Sequence, residues 1–373
     1  MKILFAGGGS GGSVLPLLAL EEELESRGVI SKKEDCLWIG TRRGPEETIV
    51  KIYKIPFQKI FSGKIRRYWS LKNVTDPFFI FLGFLESLWH VFRFQPDIVL
   101  SVGGFVSVPV IWAAWIFRKK ILIHQQDRRM GLANWMVVWC ADRITVTLEE
   151  SLKDFPTEKT IFTGNAVRSS IFDGSRERAR KYFHIETEFP VLLITGGGTG
   201  ARHVNEIITE AAGEIVEFAE IIHLTGKGKK VFFQKAHLQK YPLLIKRYRQ
   251  YEFLNQEMKD ALAIAEIIIS RAGMSTLSEL SLLQKSAIIV PLPGTHQEEN
   301  ARAFANKNAI VLCEEKNFSP KKIIQEVKEL LENSARRDKL RENIIKMMPH
   351  NGTQKIVELI VQLLNDTLKK RKV

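Results

Sequence analysis

The sequence contains few cysteines and lacks long apolar runs. Three cysteines stand far apart among 373 residues, with no C-x-x-C pair: Cys36, Cys140 and Cys313. Their spacing excludes a disulfide scaffold and a structural zinc site, and it fits a reducing compartment. Charged residues end the two longest apolar runs, 78–85 and 106–117, before the roughly 18–20 residues that a membrane span needs. We therefore expect a cytoplasmic protein that does not cross a membrane and has no secretory signal.

Acidic residues are fewer than basic ones. The chain has 42 Asp and Glu and 55 Lys and Arg, which gives a net charge of +13. This excess predicts an anionic partner, which could be a phosphorylated substrate, an acidic membrane surface or nucleic acid. Hydrophobic residues make up 45% of the chain, which excludes a largely disordered protein. The length predicts two or three domains, at about 150 residues each.

Short apolar runs alternate with amphipathic helices along the chain, which predicts parallel sheets covered on both faces. The first half suggests strands at 2–6, 36–39, 98–102, 121–124 and 143–147, with a helix at 16–27. The second half suggests strands at 191–195, 221–224, 267–270, 287–290 and 309–312, with a helix at 202–218. The pattern restarts after a polar linker at 163–188. Two Rossmann-like domains follow from this repetition.

Each half opens with a glycine-rich turn between a strand and a helix, at 7–12 and at 196–201. Glycine allows close approach to an anion, and a helix N-terminus offers free N–H groups, so both turns suit a phosphate or diphosphate. They could also simply be tight turns. A dinucleotide oxidoreductase is disfavoured, because neither unit has the acidic residue about 20 residues further on that holds the ribose.

In order and spacing, a series of motifs resembles the MurG-type glycosyltransferases. The resemblance runs the length of the chain and rests on the segments 8–16, 40–46, 103–107, 124–127, 164–168, 196–202, 226–228, 252–258, 271–279 and 296–301. It implies the α/β GT-B fold, in which two Rossmann-like domains with parallel sheets face each other across a cleft. It places the acceptor and membrane-associated domain at 1–164 and the UDP-sugar domain at 165–349, with helix 350–373 packing back on the first.

The activity that this resemblance implies is inverting transfer of N-acetylglucosamine from UDP-GlcNAc to the muramoyl sugar of lipid I. The product is lipid II, a precursor of peptidoglycan, so the implied role lies in cell wall biogenesis, cell shape and cell division. The implied partners are UDP-GlcNAc, an undecaprenyl-linked acceptor and an anionic membrane surface, without nucleic acid, cofactor or metal. The implied location is the cytoplasmic face of the membrane, as a peripheral protein.

The resemblance also assigns roles to single residues. Glu279 would accept hydrogen bonds from both ribose hydroxyls, Leu254 would meet uracil through its backbone, and Gln297 would bind the GlcNAc hydroxyls. Arg168 would meet the diphosphate, where a permanent charge is useful. The remaining substrate-binding candidates are Ser10, Gly11, Gly12, Asp127, Gly198, Met274, Ser275, Thr276, Leu277 and Ser278. Each polar candidate could instead be an ordinary surface or core residue.

The chain departs from the family where the general base is expected. Ser13 stands where the family carries a catalytic histidine, and a serine hydroxyl is no base at neutral pH. The family's H-E-Q-N segment reads His124-Gln125-Gln126-Asp127 here. We hypothesise that Asp127 is the base, assisted by His124. The alternative is that His124 is a hydrogen-bonded core residue and Asp127 caps the next helix.

Basic and aromatic residues interleave between 51 and 92. The basic residues are Lys51, Lys54, Lys59, Lys64, Arg66, Arg67 and Lys72, and the aromatic residues among them are Phe57, Phe61, Tyr68 and Trp69. A bulky apolar stretch follows at 78–92. This mixture suits the membrane interface, although it could also bind nucleic acid or form a buried helix beside a solvated loop.

Three rival functions stay open at this stage. The first is a transferase of the same fold that acts on another acceptor, given Ser13 and Asp127. The second is a UDP-sugar epimerase on a similar scaffold, which the basic aromatic segment disfavours. The third is a catalytically impaired, nucleotide-sugar-binding or membrane-scaffold relative.

Overall fold

The computed structural model describes residues 1–9, 11–63, 72–197 and 201–371, with side chains except at 72–74 and 367–371. The described chain forms two compact units. Unit 1 comprises Met1–Arg168 and Met348–Val373, and unit 2 comprises Ser169–Met347. The sequence placed the corresponding boundaries after residues 164 and 349. Each unit is built on its own parallel sheet, as the two expected Rossmann-like domains require.

Unit 1 contains a parallel sheet of seven strands in the described residues. They are β1 (Ile3–Gly7), β2 (Cys36–Thr41), β3 (Phe57–Ile60), β4 (Ile98–Gly103), β5 (Lys120–Gln125), β6 (Arg143–Val146) and β7 (Thr160–Phe162). Their order is β3-β2-β1-β4-β5-β6-β7. The order reverses between β1 and β4, and ligands of such sheets bind beyond the carboxyl ends of the strands at this switch point.

Helices cover both faces of this sheet. They are α1 (Leu15–Ser26), α2 (Glu46–Ile52), α3 (Lys72–Phe94), α4 (Ser107–Ile116) and α5 (Leu132–Val137). Successive side chains of a strand point to opposite faces. Accordingly, Ile3 and Phe5 of β1 pack in a cluster with α1, whereas Leu4 and Ala6 pack in a second cluster with α4.

Helix α3 packs against unit 1 along one stripe and exposes its opposite side. Ile80, Ser87 and Val91 are buried, a spacing that repeats on one helix face. Gly83 permits close packing, because a Cβ there would lie 1.9 Å from the carbonyl oxygen of Phe61. By length and composition, the segment Thr75–Phe94 is the one described helix that could cross a membrane, and 22% of its apolar window is buried. The expectation that no segment is long enough therefore needs correction, because the helix continues through Glu86.

Unit 2 contains a second parallel sheet, with six strands in the described residues. They are β8 (Val191–Thr195), β9 (Glu220–Leu224), β10 (Tyr248–Tyr251), β11 (Ile267–Ser270), β12 (Ser286–Ile289) and β13 (Val311–Leu312). Their order is β10-β9-β8-β11-β12-β13. The switch point therefore lies between β8 and β11.

The helices of unit 2 follow the same alternation with the strands. They are α6 (Arg176–Phe183), α7 (Arg202–Ile215), α8 (Lys235–Lys240), α9 (Leu244–Arg247), α10 (Met258–Ile264), α11 (Met274–Leu282), α12 (His296–Ala305), α13 (Pro320–Glu332) and α14 (Ser334–Ile344). Ile208 and Ile215 of α7 pack with Val327 of α13 and with alternate residues of β8 in one apolar cluster. This packing holds α7 and α13 on one face of the sheet.

The last helix, α15 (Gly352–Arg371), belongs to unit 1. Ile356, Val357 and Ile360 are fully buried in the cluster that also contains α1. The hydroxyl of Thr353 accepts a hydrogen bond from the N–H of Val167 (3.0 Å) and donates one to its carbonyl (2.9 Å). The chain thus returns to unit 1 immediately beside the point where it left.

The sequence analysis did not predict three of the strands: β3, β7 and β10. Each lies at an edge of its sheet and is partly exposed, with two of four residues exposed in β3 and one of three in β7. The predicted linker at 163–188 also contains α6.

Candidate active site

The first glycine turn lies at the switch point of unit 1, directly after β1. Gly9 has a φ of +84°, a conformation that side chains disfavour. A Cβ at Gly104, which follows β4, would lie 2.8 Å from the carbonyl oxygen of Gly8. The two turns therefore approach each other this closely because residue 104 is a glycine.

A buried carboxylate fixes this turn. Glu46, at the start of α2, is fully buried. Its Oε2 accepts a hydrogen bond from the N–H of Gly9 (3.1 Å), and its Oε1 accepts one from the N–H of Thr41 (2.6 Å). The Gly9 donor is thus already used inside unit 1, so an anion at this turn would rely on other N–H groups.

Ser13 lies within a short 3-10 helix that contains Gly11 and Gly12 and precedes α1. The hydroxyl of Ser13 is 3.3 Å from the carbonyl oxygen of Gly8, to which it donates a hydrogen bond. Ser13 therefore helps to close the turn, and its chemistry supplies no base. The predicted ligand Ser10 lies outside the described residues.

His124, near the end of β5, is fully buried. Its Nδ1 lies 2.9 Å from the hydroxyl of Thr145, and its Nε2 lies 3.0 Å from Oδ1 of Asn165. Burial lowers the pKa of the imidazole to about 4. A proton carrier must reach its substrate, and a ring enclosed in this way does not. His124 is thus buried and hydrogen-bonded, so any assistance to Asp127 would act without contact between His124 and the substrate.

Asp127 lies two residues beyond β5 and is partly exposed. Its backbone carbonyl accepts a hydrogen bond from Nε2 of Gln125 at 2.7 Å. The N-cap of the next helix, α5, is Gly131, and that cap has no side-chain hydrogen bond. The capping alternative for Asp127 therefore does not apply. A partly exposed aspartate at the carboxyl edge of the sheet can accept a proton from a bound hydroxyl.

Arg168 is the last residue of the first segment of unit 1. Its Nη1 donates a hydrogen bond to the hydroxyl of Tyr53 at 2.6 Å. Burial raises the pKa of the Glu22 carboxyl, and the charge of Arg168 partly offsets this effect. The guanidinium is therefore already bonded to a phenol within unit 1, and its charge also acts on the Glu22 carboxyl.

The second glycine turn lies at the switch point of unit 2, directly after β8. Gly197 has a φ of +77°, and its N–H donates to the hydroxyl of Thr195 at 3.3 Å. Helix α7 begins just beyond the turn, at Arg202. The predicted ligand Gly198 lies outside the described residues, as do residues 199 and 200.

Helix α11 starts beyond β11, on the other side of the same switch point, and contains most of the predicted donor ligands. Ser275, Thr276 and Glu279 are partly exposed, so their side chains can reach a ligand. Met274, Leu277 and Ser278 are buried, and a ligand could meet them only through backbone groups. The N–H groups of the first turn of a helix attract anions.

Two further donor candidates follow other strands of unit 2, β10 and β12. Leu254 follows β10, and its side chain is buried while that of Phe253 is 66% exposed. Gln297 lies in the first turn of α12, and its Oε1 accepts a hydrogen bond from the N–H of Leu292 at 3.1 Å. The side-chain oxygen of Thr295 caps this helix.

The predicted residues thus form two groups, one in each unit. The unit 1 group contains Gly11, Gly12, Ser13, Asp127 and Arg168, with His124 beneath it in the core. Sequence reasoning missed the supporting roles of Gln125 and Tyr53, whose signals are only an amide at a strand end and a tyrosine after a helix. No group of three His, Cys, Asp or Glu residues that could hold a metal ion occurs in the described part of the chain.

Comparison with known proteins identifies both halves. Residues 3–146 match the glycosyltransferase family 28 N-terminal domain, and residues 191–360 match the C-terminal domain of the same family. A Bacillus cereus protein named UDP-N-acetylglucosamine--N-acetylmuramyl-(pentapeptide) pyrophosphoryl-undecaprenol N-acetylglucosamine transferase 2 is 37% identical over 337 residues, covering 89% of this chain and 92% of that protein. A Clostridium perfringens transferase of the same name, without the number, is 34% identical over 363 residues, covering 96% and 97%.

Solved structures share the fold. The crystal structure of Acinetobacter baumannii MurG has a TM-score of 0.72 at 24% identity and covers 97% of this chain and 99% of its own. The UDP-GlcNAc 2-epimerase of Neisseria meningitidis bound to UDP-GlcNAc has a TM-score of 0.69 at 16% identity, covering 97% and 100%. These identities indicate the fold alone, whereas the family models and the curated relatives indicate the family. The chain belongs to glycosyltransferase family 28 and, within it, to the MurG-type enzymes.

Proposed function

We propose that this chain transfers N-acetylglucosamine from UDP-GlcNAc to the muramoyl sugar of lipid I, forming lipid II for peptidoglycan synthesis. The named relatives carry out this reaction according to their names, and they match along about nine-tenths of the chain or more. The observation that carries the proposal is that the described donor candidates follow strands of unit 2 at the carboxyl edge of its sheet, with those of α11 beside the switch point.

The donor would be held by groups of unit 2. The carboxylate of Glu279 suits the two hydroxyls of a ribose, and Gln297 suits the hydroxyls of the sugar. The backbone at Leu254 would meet uracil. The start of α11 and the glycine turn 196–201 would bind the diphosphate through N–H groups and helix dipoles.

The reaction inverts the anomeric carbon in a single displacement. The acceptor hydroxyl forms the new bond to that carbon while the bond to the phosphate oxygen breaks, and UDP leaves with the bonding electrons. The hydroxyl proton passes to the carboxylate of Asp127, which acts as general base. Arg168 would help to stabilise the charge of the leaving diphosphate. To do so, its guanidinium would exchange its hydrogen bond to Tyr53 for one to a phosphate.

The central experiment measures UDP release from UDP-GlcNAc with and without lipid I. Release that depends on lipid I supports the proposal. Release only with another lipid-linked sugar would favour a related transferase with a different acceptor. UDP binding without release would indicate a non-catalytic relative, and interconversion of UDP-GlcNAc with its 2-epimer would indicate an epimerase.

The variant Asp127→Asn tests the base. We expect kcat to fall by about 10²- to 10⁴-fold, the usual contribution of general base catalysis. The affinity for UDP, measured by calorimetry, should stay unchanged, because the proposed contacts to UDP come from unit 2 and from Arg168, not from Asp127. Full turnover by Asp127→Asn would eliminate Asp127 as the base.

We also propose that unit 1 binds an anionic membrane surface through an aromatic face. This face consists of the exposed side chains of Phe78, Phe81, Leu85, Trp89, Phe92, Trp115, Trp135 and Trp139. Trp115 of α4 and Trp139 beyond α5 are in edge contact, with ring centroids 4.9 Å apart, so the face extends across neighbouring helices. Rings of this kind suit the acyl boundary of a bilayer.

Cations accompany the aromatic face. Arg93 and Arg118 are exposed at the ends of α3 and α4, where they could meet anionic headgroups. Arg93 and Arg118 were not among the predicted cations, of which Lys51 and Lys59 form ion pairs with Glu47 at 3.0 and 2.7 Å. Lys64, Arg66, Arg67, Tyr68 and Trp69 lie outside the described residues, as does the side chain of Lys72.

Liposome sedimentation tests the aromatic face. We expect the wild type to bind vesicles that contain anionic lipid and the double variant Phe81→Ser/Trp89→Ser to bind at least tenfold less. Phe232→Ser is the matched control, since Phe232 is an 84% exposed phenylalanine of unit 2. Equal binding by the double variant and the control would refute a membrane role for this face.

A further inference from the structure

We propose that Gln125 is a positioning residue, which holds the loop that bears Asp127 in the geometry needed for proton transfer. This inference rests on the proposed role of Asp127 as general base. Gln125 is the last residue of β5, and only 3% of its surface is exposed. It is therefore too enclosed to touch a substrate and must act through its neighbours.

The Gln125 amide is bonded at both of its ends. Its Nε2 donates to the carbonyl oxygen of Asp127 at 2.7 Å and to that of Arg129 at 2.8 Å. Its Oε1 accepts a hydrogen bond from Nδ2 of Asn134, on α5, at 2.7 Å. The amide thus joins the end of a strand, the 127–129 loop and a helix.

These contacts determine which terminal atom of the Gln125 amide is the oxygen and which is the nitrogen. The reverse orientation would place Oε1 against two carbonyl oxygens and Nε2 against an amide nitrogen, so all three contacts would be lost. Position 125 therefore requires two donors and one acceptor on a side chain of this length. Glutamate, which the resembled motif carries here, supplies acceptors only when ionised.

A second contact completes the restraint of the loop. The hydroxyl of Ser151 donates to the carbonyl oxygen of Arg128 at 2.7 Å. Three consecutive carbonyls, those of Asp127, Arg128 and Arg129, are thus each held by a side chain from outside the loop. The backbone that carries the Asp127 carboxylate is fixed on both sides, as proton transfer at a defined distance requires.

The variant Gln125→Leu removes this restraint at similar volume. We expect kcat to fall roughly 10- to 100-fold, the loss that a displacement of about 1 Å can cause. The KM for UDP-GlcNAc and the affinity for UDP should be unchanged. A loss of donor affinity that matches the loss of kcat would overturn the inference, because it would indicate general damage to the fold.

A double-mutant cycle separates positioning from structural support. If Gln125 acts through Asp127, then Gln125→Leu should have no further effect on the residual rate of Asp127→Asn. An equal fold-loss in both backgrounds would refute the positioning role while leaving the base intact. Full activity of Asp127→Asn alone, or no lipid I-dependent UDP release by the wild type, would instead overturn the proposed function.

Two further variants test whether misfolding, rather than a displaced loop, explains a loss of kcat in Gln125→Leu. Ser151→Ala removes only the bond to the Arg128 carbonyl, and it should lower kcat in the same way but by a smaller factor. Gln250→Leu is the matched control in unit 2, where the amide of Gln250 bonds both the N–H and the carbonyl of Val231 at 3.1 and 3.0 Å. The control should lower the melting temperature without lowering kcat. If Ser151→Ala retains full kcat and Gln250→Leu loses as much as Gln125→Leu, the inference fails.

Discussion

Glu46 illustrates how single buried polar residues shape the loops of unit 1. Its two carboxylate oxygens accept hydrogen bonds from two separate segments, from Gly9 in the first glycine turn and from Thr41 at the end of β2. A Cβ at Gly8, Gly40 or Gly44 would lie within 3 Å of this side chain. These three positions therefore require glycine to leave room for the Glu46 side chain.

We predict that Glu46→Gln destabilises unit 1. The amide keeps one acceptor but turns its NH₂ group toward an N–H donor, so a buried donor loses its partner at a cost of about 1–3 kcal/mol. Urea denaturation measures the change. The neighbouring variant Glu47→Gln is the control: its carboxylate forms only surface ion pairs, and almost no change is expected. Equal midpoints for Glu46→Gln and wild type would contradict the prediction.

At the scale of elements, β5 and β9 each contain a buried histidine near their carboxyl ends. His223 of β9 bonds the hydroxyl of Tyr248 at 2.6 Å and Oδ1 of Asn205 at 3.1 Å. Burial lowers the pKa of His223 to about 3 and that of His124 to about 4. Both rings are thus neutral in the folded protein at neutral pH.

These histidines should make the protein sensitive to acid. Between about pH 6.5 and pH 4 the unfolded chain binds a proton at His124 and the folded chain does not, so stability is lost as the pH falls. The loss approaches about 1.4 kcal/mol per pH unit for one histidine. Burial also raises the pKa of Glu21, and a carboxyl with a raised pKa makes the folded protein more stable as the pH falls. The two effects oppose each other, so the pH dependence of the wild type alone does not test the role of the histidines.

The contribution of His124 is isolated by comparing the wild type with His124→Gln. The measurement is urea denaturation of both proteins at pH 7 and at pH 5. We expect the variant to lose less stability than the wild type over this interval, because glutamine does not titrate. Identical pH dependence in the two proteins would show that His124 does not contribute.

The elements also show which strands a sequence pattern can predict. Central strands such as β1 and β11 are buried on both faces and consist of apolar runs, so they stand out. The missed strands β3, β7 and β10 are edge strands with partly exposed residues, including Gln58 and Lys59 in β3. Their conformation depends on pairing with a neighbour that is distant in sequence.

At the scale of the whole molecule, the C-terminal helix completes the core of the N-terminal unit. Five apolar residues of α15 are buried in the cluster with α1 and β1: Ile356, Val357, Ile360, Leu363 and Leu364. Unit 1 therefore depends on the last residues of the chain, which are made after the whole of unit 2.

We predict that Ile360→Ala destabilises unit 1 by about 2–5 kcal/mol, the usual range for a buried large-to-small change. Differential scanning calorimetry, with UDP added to mark the unit that binds it, should show a lower transition for unit 1 and little change for unit 2. Glu358→Ala, at an exposed position of the same helix, should leave both transitions in place. A lower transition for unit 2 alone would contradict the assignment of α15.

The sequence by itself determined the two parallel-sheet units, the two glycine turns and the chemistry expected of the second unit. These features depend on local patterns: apolar runs, glycine between strand and helix, and motif residues close together in the chain. The tertiary structure alone decided that His124 is enclosed while Asp127 is partly exposed, and that Gln125 binds the carbonyls of the 127–129 loop. Those outcomes depend on partners that lie tens of residues away in the chain. Asn165 meets His124 of β5, and Ser151 meets Arg128 in the loop beyond β5, only because the sheet brings its strands together.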